Sequence, residues 1–182
     1  PLSEYLPELA TCAYGDATLR NVLDMTSGVL FSEDYSAPDS GMAKLDVACG
    51  WKSYGESDWP KTVWDLILSL KDRECAHGAS FRYRSIETDV LAFVMQAVTG
   101  QSLAEIISET IWAPMGAEED ARLTLDPAGY GLASGGFNAT LRDYVRFAAL
   151  YANGGKGNGR QIVPEDWIRD TQAGRAEDFG AD

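Results

Sequence analysis

At 182 residues, 45% of them hydrophobic, the chain has the length and the apolar content for one domain with a sizeable core. Its 28 acidic against 15 basic residues leave a formal net charge of −13, which argues against nucleic acid or an anionic membrane as a partner, since both require a basic face. No run reaches the ~18 apolar residues of a membrane span, and the first residues lack the basic-then-apolar order of a signal peptide.

Residues 1–9 are predicted to be extended, because Pro1 and Pro7 restrict helix. Asp16 or Thr18 can then cap a short helix through Leu19, Val22 and Leu23, with Gly28 as its stop. From Val29 to Tyr54 neither a helical nor a strand period persists, and the stretch is predicted as a long loop. A loop of that length in a compact domain is either functional or a misread element. Its acidic and aromatic residues Glu33, Asp34, Tyr35 and Asp46 suit the lining of a cleft; equally, Asp34 and Asp39 suit turn formers, with Tyr35 pinning the loop.

Pro60 is predicted as the first residue of a helix carrying Val63, Trp64, Ile67, Leu68 and Lys71 at three- and four-residue spacing. Cys12, Cys49 and Cys75 are widely spaced and the chain has one histidine, so a zinc site is not expected and the thiols are predicted to be free and buried, as in the reducing cytoplasm. The sequence predicts neither a metal nor another cofactor. His77, in Cys75-Ala76-His77-Gly78-Ala79, reads as a solvated loop histidine.

The stretch from Phe81 to Leu91 joins a polar loop to an apolar helix. In an extended loop Phe81, Tyr83 and Ser85 share one side and Arg82 and Arg84 the other, which leaves Arg84 without a role. By residue type Tyr83 suits a half-buried packing residue with its hydroxyl at the surface. The same phenol is a candidate base, but its reference pKa of about 10 requires nearby cations, usually a lysine, before it can act near neutral pH.

A helix from Glu87 to Val98 follows, ended by Thr99-Gly100. Ser102 and Glu105 form a capping box for a third helix through Ile111, closed by Pro114 and Gly116. Tyr130 to Phe137, with three glycines, is predicted as a tight turn or short strand under the cleft, with close backbone approach at Gly135-Gly136. Thr140 with Asp143 opens the strongest helix, bearing Tyr144, Val145, Phe147 and Tyr151 and stopped at Asn153-Gly154-Gly155. Residues 154–160 lack the spacing of a phosphate-cradling loop and read as a surface turn. Pro164 starts a last helix with Trp167 and Ile168, and the tail from Gly174 is predicted to fray. The expected fold is mainly α, one helical domain over residues 1–182 with long loops and few short strands.

Phe81-x-Tyr83-x-Ser85, followed by Glu87-Thr88-Asp89-Val90-Leu91-Ala92-Phe93 and Val98-Thr99-Gly100, resembles the second motif of the serine β-lactamase-like (penicillin-recognising) hydrolases, and most closely their esterase and 6-aminohexanoate-oligomer hydrolase branch. Leu6-Pro7-Glu8-Leu9, residues 18–28, Glu33-Asp34-Tyr35 and residues 131–136 are similar to the same branch, in the same order. The resemblance implies the helical lobe of the β-lactamase/transpeptidase-like α/β fold. It also implies hydrolysis of a small ester or amide through an acyl-serine, with Tyr83 catalytic and Ser85, Tyr35 and Asp46 binding substrate. A serine rather than an asparagine at position 85 tilts that reading away from lactams.

Acyl transfer in this family uses S-x-x-K, which puts hydroxyl and ammonium on one helical face. The residues three before Lys44, Lys52, Lys61, Lys71 and Lys156 are Gly41, Cys49, Asp58, Leu68 and Asn153, none a serine. The third motif, Lys-Thr-Gly or His-x-Gly, also lacks a match, since Lys61-Thr62-Val63 fails at the glycine. Ser134 misses G-x-S-x-G by one residue. The expectation is a central piece of a serine hydrolase, inactive alone, with the first and third motifs outside it. The alternative is a stand-alone helical module that binds or self-associates through apolar surface a sheet would otherwise cover.

Overall fold

The computed structural model describes residues 1–53 and 58–174. Among these residues, seven α-helices dominate: α1 (Leu19–Leu23), α2 (Gly41–Ala48), α3 (Val63–Ser69), α4 (Ile86–Thr99), α5 (Leu103–Ile107), α6 (Leu141–Ala152) and α7 (Glu165–Ala173). Two short antiparallel pairs accompany them, β1 (Arg122–Leu123) with β2 (Phe137–Asn138) and β3 (Lys156–Gly157) with β4 (Arg160–Gln161). Tyr54, the predicted end of the long loop, and the tail beyond Gly174 lie outside the described residues.

The molecule is built around α4, which packs against α1, α3 and α5. Ile86, Val90, Phe93 and Val94 recur at the spacing of one helical face and are all buried. They join Leu2, Leu9, Tyr14, Val22, Leu66, Ile67 and Leu132 in one core. Each such large apolar side chain stabilises the fold by roughly 1.5–3 kcal/mol on burial. The helix stops where Gly100 turns left-handed, at φ +71°, and its N–H closes onto the Gln96 carbonyl.

Helix starts follow the capping chemistry of the sequence. Thr18 and Ser102 sit in complete capping boxes with Asn21 and Glu105, and Thr140 accepts from the Asp143 N–H. Each cap contributes about 1 kcal/mol. Thr62 caps α3, so the helix starts at Val63 and Pro60 stands outside it, contrary to the proline-first expectation. The short helix α1 ends through Met25 at φ +53°, not at Gly28.

The first nine residues are not extended: Leu2–Glu4 and Pro7–Thr11 form 3-10 turns that bury Leu2 and Leu9. Pro7 opens the second, where no backbone donor is needed. The predicted long loop contains α2. Ser40 caps it, and Gly41 begins it because a Cβ there would stand 2.8 Å from the Phe31 ring. Met42, Ala43, Leu45, Val47 and Ala48 are all buried, and Lys44 and Asp46 are too few polar positions to reveal a helical period. Between residues 130 and 137 the close approach falls on Gly136 and Gly131, the latter bridged to Leu125, while Gly135 has room for a side chain. The predicted turn over 154–160 is a hairpin whose Asn158 and Gly159 both have positive φ.

Buried acids tie the helices to the loops. Asp143 accepts from the Glu118 and Glu119 N–H groups at 2.9 and 3.3 Å and from the Thr140 hydroxyl at 2.8 Å; these donors, the Glu118 amide foremost, hold its carboxyl below the usual range. Asp126 accepts from Val63, Ala128 and Tyr130 N–H groups at 2.9–3.0 Å. On α4, Asp89 accepts from Ala133 and Ser134 N–H at 2.8 and 3.2 Å, yet burial outweighs these bonds and pushes it up to about 6. Burial likewise raises Glu87 to about 7, against the opposing pull of Ser27 and Arg84. Cys49 is buried and pushed up to about 12 by burial, whereas Cys12 and Cys75 are free but only half-buried.

Asp143→Ala leaves the Glu118 and Glu119 amides without their acceptor and should lower stability by about 2 kcal/mol, or ~4–8 °C in Tm. An unchanged urea midpoint would show that the 118–119 turn is held by something else. Glu87 and Asp89 are raised in the folded chain, so their contribution is complete below pH ~4 and is lost as pH climbs towards about 6 and 7. Glu87→Gln should therefore remove on the order of 2 kcal/mol of the stability loss between pH 5 and 8. Parallel wild-type and variant stability curves over that interval would contradict the assignment.

Candidate active site

Residues 81–84 run extended into the first turn of α4, and the Arg82 N–H donates to the Met25 carbonyl at 2.9 Å. Tyr83 is 56% exposed and lines an open cleft of about 780 Å³ with Leu30, Phe31, Ser32, Glu33, Glu74 and residues 79–82. The phenol of Tyr83 therefore faces a cavity rather than the core.

Ser85 occupies the N-cap of α4 in helical conformation and is buried. Its hydroxyl and N–H both donate to Glu33, at 3.1 and 2.5 Å, and the Tyr35 hydroxyl donates to the same carboxylate at 3.2 Å. Glu33 thus joins two of the candidate residues and stands in the cleft wall beside the third. The sequence marks Glu33 as one acid of a loop and as part of the Glu33-Asp34-Tyr35 run, but gives it no role of its own, because its bond to Ser85 spans 52 residues of chain. Asp46 lies on α2 with its carboxylate paired to Lys52 Nζ at 2.5 Å, and it is not among the cleft-lining residues.

The alternation expected for this loop holds for Tyr83 against Arg84 and fails at its neighbours. Ser85 already belongs to a helical turn, so the two-residue period is lost there. Arg82 reaches the cleft wall and pairs with Glu74 at 3.3 Å. Arg84 points away from Tyr83, but it has a structural role that alternation alone did not reveal. It is 1% exposed, pairs with Glu74 and with Glu87 Oε1 at 3.5 Å, and donates from Nη1 to the Arg82 carbonyl at 3.1 Å. Glu87 in turn accepts a short hydrogen bond from the Ser27 hydroxyl.

His77 is not solvated. Its Nδ1 meets the Ser27 carbonyl and its Nε2 lies 3.0 Å from Asp16, where Arg73 also binds at 3.2 Å. The His77 hydrogen bond, helped by Arg73, lowers the Asp16 carboxyl below its ordinary value. Asp16, His77 and Ser27 have the composition of a hydrolytic triad but not its geometry, because Ser27 offers the imidazole a carbonyl and turns its buried hydroxyl to Glu87. Ser134, which misses the G-x-S-x-G spacing, serves Asp89 through its N–H.

Among the described residues no group of three or more His, Cys, Asp or Glu is placed to hold a metal ion. A larger groove of about 1000 Å³ runs along α7 between Trp167, Ile162 and Ile111, but its lining contains no candidate residue and is largely apolar. In the smaller cleft a phenol, Tyr83, and a carboxylate, Glu33, line one space.

The sequence profile of the beta-lactamase family matches residues 1–178. The 6-aminohexanoate-dimer hydrolase of Paenarthrobacter ureafaciens is 34% identical over 182 residues, covering 100% of this chain and 46% of that protein. A solved structure of a candidate 6-aminohexanoate-dimer hydrolase from Bacillus anthracis superimposes with a TM-score of 0.88 at 32% identity, over 98% of this chain and 47% of that one. A candidate beta-lactamase from Bacteroides dorei DSM 17855 shares the fold, with a TM-score of 0.65 at 22% identity over 93% of this chain and 46% of that one. The chain spans about half the length of these relatives. Its mainly helical architecture is accordingly the helical lobe of a β-lactamase-like fold. With nearly every residue covered by the profile, the chain belongs to the beta-lactamase family of serine hydrolases.

Proposed function

We propose that this chain supplies the Tyr-x-Ser wall of the active site in a hydrolase that cleaves a small ester or amide through an acyl-serine. The observation that carries the reading is Tyr83 exposed in a cleft whose wall includes Glu33, the residue bonded to both Ser85 and Tyr35. Its resemblance to the 6-aminohexanoate-dimer hydrolases favours an amide-oligomer or ester substrate.

In this reading the serine nucleophile and its activating lysine come from an S-x-x-K helix in the remainder of the protein. The Tyr83 oxygen takes the serine proton as the hydroxyl attacks the substrate carbonyl, and returns it to the leaving alcohol or amine. Attack by water on the acyl-serine repeats the exchange and frees the acid. Ser85 and Tyr35, joined through Glu33, orient the substrate, whereas Asp46 does not line this cleft. Serine at position 85 does not supply the amide that suits an acylamino side chain, which tilts the substrate away from lactams.

A second reading, a non-catalytic module that associates with itself, is favoured by the outer face of α6. Leu141 and Val145 on that helix are 80% and 60% exposed, beside the partly exposed Tyr144 and Phe147. An apolar stripe of that kind is commonly covered by a partner.

The 182-residue chain alone should give no burst with p-nitrophenyl esters or linear amide oligomers, and stoichiometric acylation of any of its serines by a fluorophosphonate probe would contradict this. In a protein that also carries the nucleophile helix, Tyr83→Phe should reduce kcat by about 100-fold or more while shifting chain stability by no more than ~0.5 kcal/mol. Near-normal turnover of that variant would remove Tyr83 from the mechanism.

A further inference from the structure

The side chain of Tyr83 is open to solvent, yet the backbone on both sides of it is tied down. Before it, the Arg82 N–H is fixed to the Met25 carbonyl at 2.9 Å, and the Arg82 carbonyl accepts from Arg84 Nη1 at 3.1 Å. After it, the Ser85 N–H is fixed to Glu33 Oε1 at 2.5 Å. Arg84 reaches back over the peptide that precedes Tyr83, and Glu33 grips the Arg84–Ser85 peptide one residue beyond it.

Arg84 is the largest fully buried side chain among the described residues. A buried guanidinium is expensive to desolvate, and an apolar side chain of similar volume commonly serves stability as well or better. Here the charge is kept, with Glu74 and Glu87 as counter-ions, while its Nε remains without a partner. Packing and pairing therefore leave the arginine underused, whereas its planar fork explains the geometry. One plane reaches two carboxylates and a backbone carbonyl together, which the point charge of a lysine does not.

We propose that Arg84 and Glu33 are positioning residues that set Tyr83 in the cleft, Arg84 through the Arg82 carbonyl and Glu33 through the Ser85 amide. The functional value of the clamp rests on the reading of Tyr83 as the site phenol; the clamp itself is a geometric statement about this chain. Misplacement of a catalytic group by about 1 Å can reduce rate by about 100-fold, so a phenol on a short loop gains from both anchors.

The test separates the two. In the 182-residue chain labelled with 3-fluorotyrosine, the Tyr83 fluorine resonance is assigned by its disappearance in Tyr83→Phe. Arg84→Lys keeps the buried cation but loses the fork, and Arg84→Met combined with Glu87→Gln removes both charges while the glutamine carbonyl still accepts from Ser27. Both should leave the fold intact by circular dichroism, shift or broaden the Tyr83 resonance about twofold, and speed amide exchange at Arg82 by about tenfold. Glu33→Ala should do the same at Ser85. Folded variants with an unchanged Tyr83 resonance and unchanged exchange at Arg82 and Ser85 would overturn the clamp. In the protein with its nucleophile helix, Arg84→Lys should lower kcat about tenfold with KM within about twofold. If that protein keeps its turnover in Tyr83→Phe while the resonance and exchange effects persist, the clamp stands and the catalytic reading of Tyr83 falls.

Discussion

The first turn of α4 carries two buried carboxylates, Glu87 and Asp89, and each ties the helix to a different loop. Glu87 faces Arg84 and Ser27, which fixes the loop before the helix and the loop around residue 27. Asp89 faces the 133–134 amides, which fixes the glycine-rich turn on the other side. A helix N-terminus is a favourable place for negative charge, since its free N–H groups and aligned peptide dipoles offset part of the desolvation cost. The offset is incomplete, as the raised Glu87 and Asp89 carboxyls show.

That arrangement is not the most stable one available to a core of this size. Tyr14 Oη, Arg84 Nε, Glu87 Oε2 and Asp89 Oδ2 are buried without a hydrogen-bond partner, and each such atom carries a cost that an apolar replacement would avoid. Three of these atoms belong to Arg84, Glu87 and Asp89 at the start of α4, whereas Asp126 and Asp143 satisfy their carboxylates with backbone donors.

Local chemistry was legible in the sequence wherever one residue decides one hydrogen bond. The caps at Thr18, Ser102 and Thr140 and the stop at Gly100 all lie where side-chain type predicts them. Helix α2 escaped because its residues are buried around most of the helix, so the polar half of the pattern is missing. His77 and Arg84 escaped for a different reason: their partners Asp16, Ser27 and Glu74 are brought to them by tertiary contacts that no local period encodes. Glu33 is the same case within the cleft, an acid whose meaning depends on Ser85 arriving from 52 residues away. The ordered motifs supplied the family, and the side-chain network had to come from the fold.

The division of labour in the proposed reaction follows from where the cations point. Both arginines next to Tyr83 are engaged with carboxylates, Arg82 with Glu74 and Arg84 with Glu74 and Glu87. The other acid of the cleft wall, Glu33, is occupied with Ser85 and Tyr35. A phenol acts as a base near neutral pH only when positive charge stands close to its oxygen. This lobe therefore contributes position: a Tyr83 loop anchored on both sides and open to the cleft. On the proposed reading, the positive charge that makes the phenol basic comes from a residue other than these two arginines, the lysine of the proposed nucleophile helix.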